Sequence, residues 1–298
     1  MAISAPRSFA YRGRTLEIDG RSVFLREAIP LAPRPEALIL LHGWVGTSSW
    51  MFDHLMPELG ARYHTIAPDL PGFGRSRTLA EVPSLDAYAE FVRRLADELE
   101  IERFHLVGVS VGGTIALTFA DRYPERVRKL CLQGPVYRSA DLPRRFRFMY
   151  DLLGRTGLIE IVPKLPIKWW FIVRRLDMGR DTRHLSPEDR RKLARDILRV
   201  PNETLIEVAR RLLTLDLSDV ARRICVPTLV LDGADARMVP AKASRHLARL
   251  IPGARCHIVP DAGHNLALER PREFLDQLLP FLAEDRQPAV LPRTSDSL

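Results

Sequence analysis

The chain has 298 residues, of which 46% are hydrophobic and 28% charged, with a formal net charge of +8. That length holds one large α/β domain with an insertion, or two modest ones, and the balance of residue types excludes a disordered or fibrous chain. No apolar run approaches the length of a bilayer span; the most suggestive, residues 169–173, is far too short.

Residues 1–20 mix Arg7, Arg12, Arg14, Glu17 and Asp19 with short apolar runs and lack the continuous apolar stretch of a signal peptide. A cytoplasmic location is expected, with peripheral membrane contact left open. In chain order, residues 15–18 and 22–25, joined through Asp19-Gly20, predict a hairpin. Short apolar runs follow at 37–41, 64–67, 104–107, 129–132, 228–231 and 255–259, separated by segments of helical character. That alternation predicts a mostly parallel sheet covered on both faces. The clearest helix is 85–99, whose apolar positions 85, 88, 91, 92, 95, 96 and 99 form one stripe behind a Ser84 cap. Another follows at 114–123. Cys131, Cys225 and Cys256 lie in or beside apolar runs with no metal-ligand spacing, and read as buried free thiols of a reducing compartment. Residues 287–298, with two prolines among polar residues, predict a disordered tail.

Between 136 and 223 the strand–helix alternation stops, and this stretch carries 20 Lys and Arg against 12 Asp and Glu, so it accounts for the whole +8 of the chain. It predicts a helical cap over residues 136–216, inserted between core segments 1–135 and 217–298. Two readings of its charge stay open, a solvated arginine-rich face and a surface drawn to anionic lipids. Residues 158–175, which interleave aliphatic and aromatic side chains with Lys164, Lys168, Arg174 and Arg175, suit the second. A nucleic-acid partner is not expected, because no binding motif accompanies the charge. The oligomeric state is not legible.

The chemistry is concentrated in Gly108-Val109-Ser110-Val111-Gly112, directly after one apolar run and directly before a helix-like segment. On so sharp a strand-to-helix turn, side chains at the flanking positions would collide with neighbouring backbone, and the turn lifts the serine hydroxyl clear of the sheet. Three other pieces stand in order around it: His42-Gly43-Trp44 after the run 37–41, Pro68-Asp69-Leu70-Pro71-Gly72-Phe73-Gly74 after the run 64–67, and Gly263-His264 after the run 255–259. With these four pieces the chain resembles the α/β-hydrolase superfamily. The stretch from Pro68 is most similar to the branch of C–C-bond hydrolases, haloperoxidase-like esterases and monoacylglycerol lipases. Dehalogenase and epoxide-hydrolase members carry aspartate at the elbow, so Ser110 argues against both.

The resemblance implies an eight-stranded, mostly parallel sheet with a helical cap after strand 6. It also implies a Ser110 nucleophile, a His264 general base, and oxyanion donors in the backbone N–H groups of Val111 and Trp44. His42 is expected to brace the oxyanion loop rather than react. The third triad position departs from the family: in the octet of residues 233–240 the usual aspartate is Ala236, and the alternative seat after strand 6, Gln133-Gly134-Pro135, has no carboxylate. Four explanations stay open: that Ala236 replaces a native aspartate; that Asp235 serves from the next position; that a Ser–His dyad works alone or in lyase or cyclase chemistry; or that the protein only binds ligands. The expected substrate is an apolar acyl compound (ester, thioester, lactone or vinylogous ketone) in a pocket formed by His42, Gly43, Phe148, Trp169 and Trp170, with Phe146, Met149, Tyr150 and Phe171 as further cap candidates. No cofactor or metal is expected, for want of a phosphate loop, dinucleotide fingerprint or ligand cluster.

Overall fold

The computed structural model describes residues 9–44, 46–76, 83–161, 186–188, 190–192, 195 and 200–284. The opening hairpin consists of β1 (Phe9–Ile18) and β2 (Arg21–Pro30), with Asp19 and Gly20 both at positive φ, as its turn requires. It is longer than the apolar runs indicate, because β1 is an edge strand that alternates exposed with half-buried residues. The sheet continues with β3 (Ala37–Leu41), β4 (His64–Pro68), β5 (Phe104–Val109), β6 (Val127–Gln133), β7 (Thr228–Gly233) and β8 (Arg255–Val259). Its order is β1-β2-β4-β3-β5-β6-β7-β8, antiparallel up to the β2/β4 pair and parallel thereafter. The fold is therefore the predicted eight-stranded, mostly parallel α/β sheet.

Every residue of β3, β5 and β7 is buried, since helices cover both faces. Alternating side chains serve two cores. Ile39, Leu41, Leu106 and Leu130 belong to the core beneath α3 (Leu85–Glu98) and α4 (Val111–Arg122), while Leu38, Leu40, Val107 and Leu231 belong to the opposite core, which is covered by α1 (Ser48–Phe52), α2 (Met56–Gly60) and the C-terminal helix of residues 271–283. The Ser84 hydroxyl caps α3 by accepting from the Ala87 N–H at 3.1 Å. Helix α4 starts at Val111 rather than 114, because Gly112 and Gly113 contribute no apolar signal to its first turn.

After β6 the chain leaves the sheet for α5 (Arg144–Arg155) and returns through α6 (Asn202–Leu212) and α7 (Ser218–Arg223). Arg138 and Asp216 form an antiparallel bridge where it departs and returns. Beside the bridge, the Ser139 N–H donates to the Leu215 carbonyl at 2.7 Å and the Leu217 N–H to the Tyr137 carbonyl at 2.8 Å. After β7 come α8 (Ala241–Leu250), and after β8 the short α9 (Leu266–Glu269) and α10 (Pro271–Ala283). The three cysteines are free thiols, but only Cys131 is buried; Cys256, expected inside, is exposed because β8 is the other edge of the sheet. Among the described residues no helix is long and apolar enough to cross a membrane.

The tightest packing lies where β5 turns into α4. A Cβ on Gly108 would stand 2.3 Å from the Gly112 carbonyl oxygen, and one on Gly112 would stand 2.2 Å from the Leu41 carbonyl oxygen. Backbone on both sides leaves no flexible atom to yield, so Gly112→Ala is expected to cost about 3 kcal/mol or more, the upper range of overpacking penalties. A fall in the chemical-denaturation midpoint checks this, and an unchanged midpoint would contradict the close approach.

Candidate active site

Ser110 occupies the turn between β5 and α4 with φ 53° and ψ −117°. Its N–H donates to the Gln133 carbonyl at 2.8 Å and its own carbonyl accepts from the Thr114 N–H at 3.1 Å, so both sides of the turn are fixed. The hydroxyl lies 3.0 Å from His264 Nε2. His264 comes from the loop between β8 and α9, 154 residues away in sequence.

That loop is held from three directions. One carboxylate oxygen of Glu269 accepts from the Gly263 N–H at 2.7 Å and the other from the Asn265 N–H at 3.1 Å. The Gln133 side-chain amide donates to the His264 carbonyl at 2.8 Å. The imidazole is buried, and burial alone pushes its pKa down to about 4, so the ring is neutral near pH 7 and Nε2 can accept a proton from the hydroxyl. Its Nδ1 is buried and makes no hydrogen bond among the described residues.

The loop after β3 closes the other side. A Cβ on Gly43 would touch Ser110 Cβ at 3.2 Å, which places the Gly43-Trp44 backbone against the hydroxyl. His42 braces this loop: Nε2 accepts from the Leu70 N–H at 2.9 Å, and Nδ1 therefore donates to the Gly43 carbonyl at 2.8 Å. Buried Asp69 ties the same loops together, accepting from the Ser48 N–H and hydroxyl at 2.8 and 2.6 Å and from the Arg75 N–H at 2.9 Å. Val111 opens α4, where the first N–H groups have no partner within the helix and are available to an anion. Trp44 is buried edge-on to Phe146, ring centroids 6.2 Å apart, and Phe146 lies 4.8 Å from Tyr150.

The structure thus brings together Ser110, His264, Val111, Trp44, Gly43 and His42. It does not bring Asp235 to the histidine. Asp235 is exposed, because the turn after β7 points it to solvent, whereas the Ala236 methyl is buried with 7% exposure. Phe148 is likewise displaced from its expected place in the pocket. It is 68% exposed on the outer side of α5, because residues 146 and 150 take the inner face and 148, two residues from each, falls on the opposite side of the helix. Trp169, Trp170 and Phe171 lie outside the described residues.

One buried carboxylate near His264 escaped the sequence reading. Asp232 is fully buried in β7, accepting from the Gly233 N–H at 2.9 Å and the Ser244 hydroxyl at 2.6 Å. The signal in the sequence is a charged residue at the end of an otherwise apolar strand, which the run 228–231 stops just short of. Among the described residues no cluster of His, Cys, Asp or Glu is arranged to hold a metal ion.

Residues 36–271 match the family model for the α/β hydrolase fold. The chain is 31% identical over 266 residues to 2-hydroxy-6-oxo-6-phenylhexa-2,4-dienoate hydrolase of Burkholderia cepacia, covering 85% of this chain and 89% of that one. It is 24% identical over 255 residues to monoacylglycerol lipase ABHD6 of Bos taurus, covering 83% and 75%. Among solved structures, a hydrolase from Pseudomonas aeruginosa PA01 superposes with a TM-score of 0.77 at 25% identity, over 92% of this chain and 99% of that one. A match that spans β3 to β8, the Ser110 turn and the His264 loop makes this chain an enzyme of the α/β-hydrolase fold family.

Proposed function

We propose that the protein is a serine hydrolase that cleaves apolar acyl compounds through an acyl-enzyme on Ser110. The observation that carries this reading is the 3.0 Å contact between His264 Nε2 and the Ser110 hydroxyl inside a buried site. As Ser110 Oγ bonds to the substrate carbonyl carbon, its proton passes to Nε2. The resulting oxyanion accepts from the backbone N–H groups of Val111 and Trp44, each such donor being worth roughly 10²–10³ in rate. The intermediate collapses, the bond to the leaving group breaks, and His264 returns the proton to that group. Water then attacks the acyl-enzyme by the same route, giving the acid and restoring the serine. The same sequence cleaves an ester, thioester or lactone; for the C–C bond of a vinylogous ketone the bonding pair must pass into a conjugated carbonyl of the departing fragment, and the proton is then delivered to the carbon that leaves. Trp44, Phe146 and Tyr150 offer an apolar wall and favour an apolar acyl group.

A series of p-nitrophenyl acyl esters tests this. Turnover is expected to rise with acyl apolarity, and Ser110→Ala should abolish both turnover and labelling by a fluorophosphonate. An unlabelled, inactive native protein would instead indicate a ligand-binding protein. Product formed without oxygen from labelled water would indicate a lyase or cyclase.

The pH dependence has a defined sign. Burial holds the His264 ring below the ordinary histidine value of 6.5, and down to about 4, so the base stays neutral through mildly acidic pH. The acid limb of kcat/KM, which reports the free enzyme, is expected between those two values. A limb at 6.5 or above would contradict a desolvated histidine. Stability has the same sign, because the unfolded chain takes up this proton first and folding weakens as pH falls from about 6.5 towards 4.

The outer face of α5 supports a reading of where the enzyme works. Phe148 and Leu152 are 68% and 49% exposed, one turn apart, beside the exposed Arg144 and Arg145, while Arg155 pairs with Asp151 at 2.8 Å. Apolar side chains that enter the acyl boundary, ringed by guanidinium groups that meet phosphates, suit an anionic lipid surface, at about 1 kcal/mol per arginine. Co-sedimentation with phosphatidylglycerol-containing vesicles is expected to exceed that with pure phosphatidylcholine, to weaken in high salt, and to fall in a Phe148→Glu variant. Equal recovery with both vesicle types would refute the anionic preference, and no recovery with either would refute lipid contact.

A further inference from the structure

We infer that Asp232, inside strand β7, is the anion that orients His264 and stabilises its imidazolium. This rests on the serine-hydrolase reading, and it assigns the triad's third place to a position outside both seats where the family carries its acid.

The geometry converges on one point beside Gly134. There the chain passes at φ +50° from the end of β6, and a Cβ would stand 3.1 Å from His264 Nδ1 and 3.2 Å from Asp232 Oδ1. The imidazole nitrogen that faces away from Ser110 and the strand carboxylate therefore flank the same small volume. Only a glycine leaves that volume open. The nitrogen is buried and makes no hydrogen bond among the described residues, so an Nδ1–H faces this volume, with the Asp232 carboxylate on its far side. The two groups flank the volume without a hydrogen bond, and in a resting enzyme catalytic hydrogen bonds are often long and tighten when charge develops.

Asp232 is built to stay in place. It is fully buried, with Oδ2 accepting from Ser244 on α8 at 2.6 Å and Oδ1 from the Gly233 N–H at 2.9 Å, so the carboxylate cannot swing away from the histidine. The loop seat holds the Ala236 methyl, and Asp235 faces solvent. Parallel pairing of β6 with β7 is what carries the end of one strand alongside the other, Gln133 opposite Leu231, so that a carboxylate one residue further on reaches the chain just past β6.

During attack, the proton leaving Ser110 Oγ goes to Nε2 and the new positive charge is shared with Nδ1–H. Asp232 is placed to neutralise that charge without taking the proton. It acts through His264 and touches no reacting atom, so it is a positioning residue.

The test compares Asp232→Asn, Asp235→Asn, Ala236→Asp and the double variant Asp232→Asn/Ala236→Asp. Each is read by kcat and KM on the preferred p-nitrophenyl ester, by melting temperature, and by NMR titration of labelled histidine. Asp232→Asn is expected to lower kcat by about 10³–10⁴ with little change in KM, as loss of a triad acid does elsewhere. It should also move the His264 titration to lower pH, because an anion that favours the imidazolium is gone. Asp235→Asn should leave kcat unchanged. A carboxylate at the loop seat should restore activity in the double variant while adding little to the native protein.

The inference is overturned if Asp232→Asn retains kcat within about threefold and leaves the histidine titration unmoved. It is also overturned if Ala236→Asp alone raises turnover by orders of magnitude, or if Asp232→Asn lowers only the melting temperature. The NMR titration needs no turnover. Failure of the hydrolase reading, seen as a native protein that neither hydrolyses esters nor reacts with fluorophosphonate, is therefore distinguishable from failure of the Asp232 assignment.

Discussion

Ser110 sits at φ 53° and ψ −117°, a backbone conformation that costs a residue with a side chain on the order of 1–3 kcal/mol, and the surrounding sheet has to hold it there. It does so through backbone alone. The Ser110 N–H is anchored on β6, its carbonyl begins the α4 ladder, and Gly108 and Gly112 let α4 approach β3 and β5 more closely than any side chain would permit. Because that approach is set by carbonyl oxygens rather than movable side chains, the hydroxyl has one position. The loop at Gly43 and the histidine at 264 are then placed relative to it.

A second layer of buried polar groups keeps the flanking loops in register with the turn. His42 and Asp69 link the loops after β3 and β4, while Glu269 and Gln133 grip the backbone around His264. His42, Asp69 and Glu269 take backbone N–H or carbonyl partners, as buried polar groups do to avoid a desolvation penalty, whereas Gln133 donates to the His264 carbonyl and leaves its Oε1 without a hydrogen bond among the described residues. The cost falls on the imidazole, whose burial disfavours its charged form. A neutral ring is what a general base needs, and a nearby carboxylate becomes valuable only when that ring turns cationic. Strand β7 is buried on both faces, and a charge inside it makes sense as part of that balance.

The excursion between β6 and β7 departs and returns through one antiparallel bridge, with the Tyr137 hydroxyl hydrogen-bonded to His246 Nδ1 on α8 at 2.5 Å. Its inner aromatic residues meet Trp44 above the serine, while its outer side presents arginines and Phe148 to solvent. The same helix therefore serves two environments, and the 100° step between successive residues separates them.

The sequence by itself determined the α/β class, the Ser110 turn, the α3 stripe behind Ser84, the His42 brace and the partnership of Ser110 with His264. The class, the turn and the stripe are written in local pattern, period-two and helical apolar spacing and glycines where backbone must touch backbone, whereas the His42 brace and the pairing of Ser110 with His264 followed only from the resemblance of the surrounding motifs to a known family. It missed the inward and outward sides of α5, because Phe146 and Phe148 look alike until a neighbouring core selects a face. It also missed Asp232, because a strand's last residues carry no local mark of what the adjacent strand brings beside them. Only tertiary structure decided that, since the convergence of β7, Gly134 and the loop after β8 depends on parallel pairing of β7 both with β6, about a hundred residues earlier in the chain, and with β8 after it.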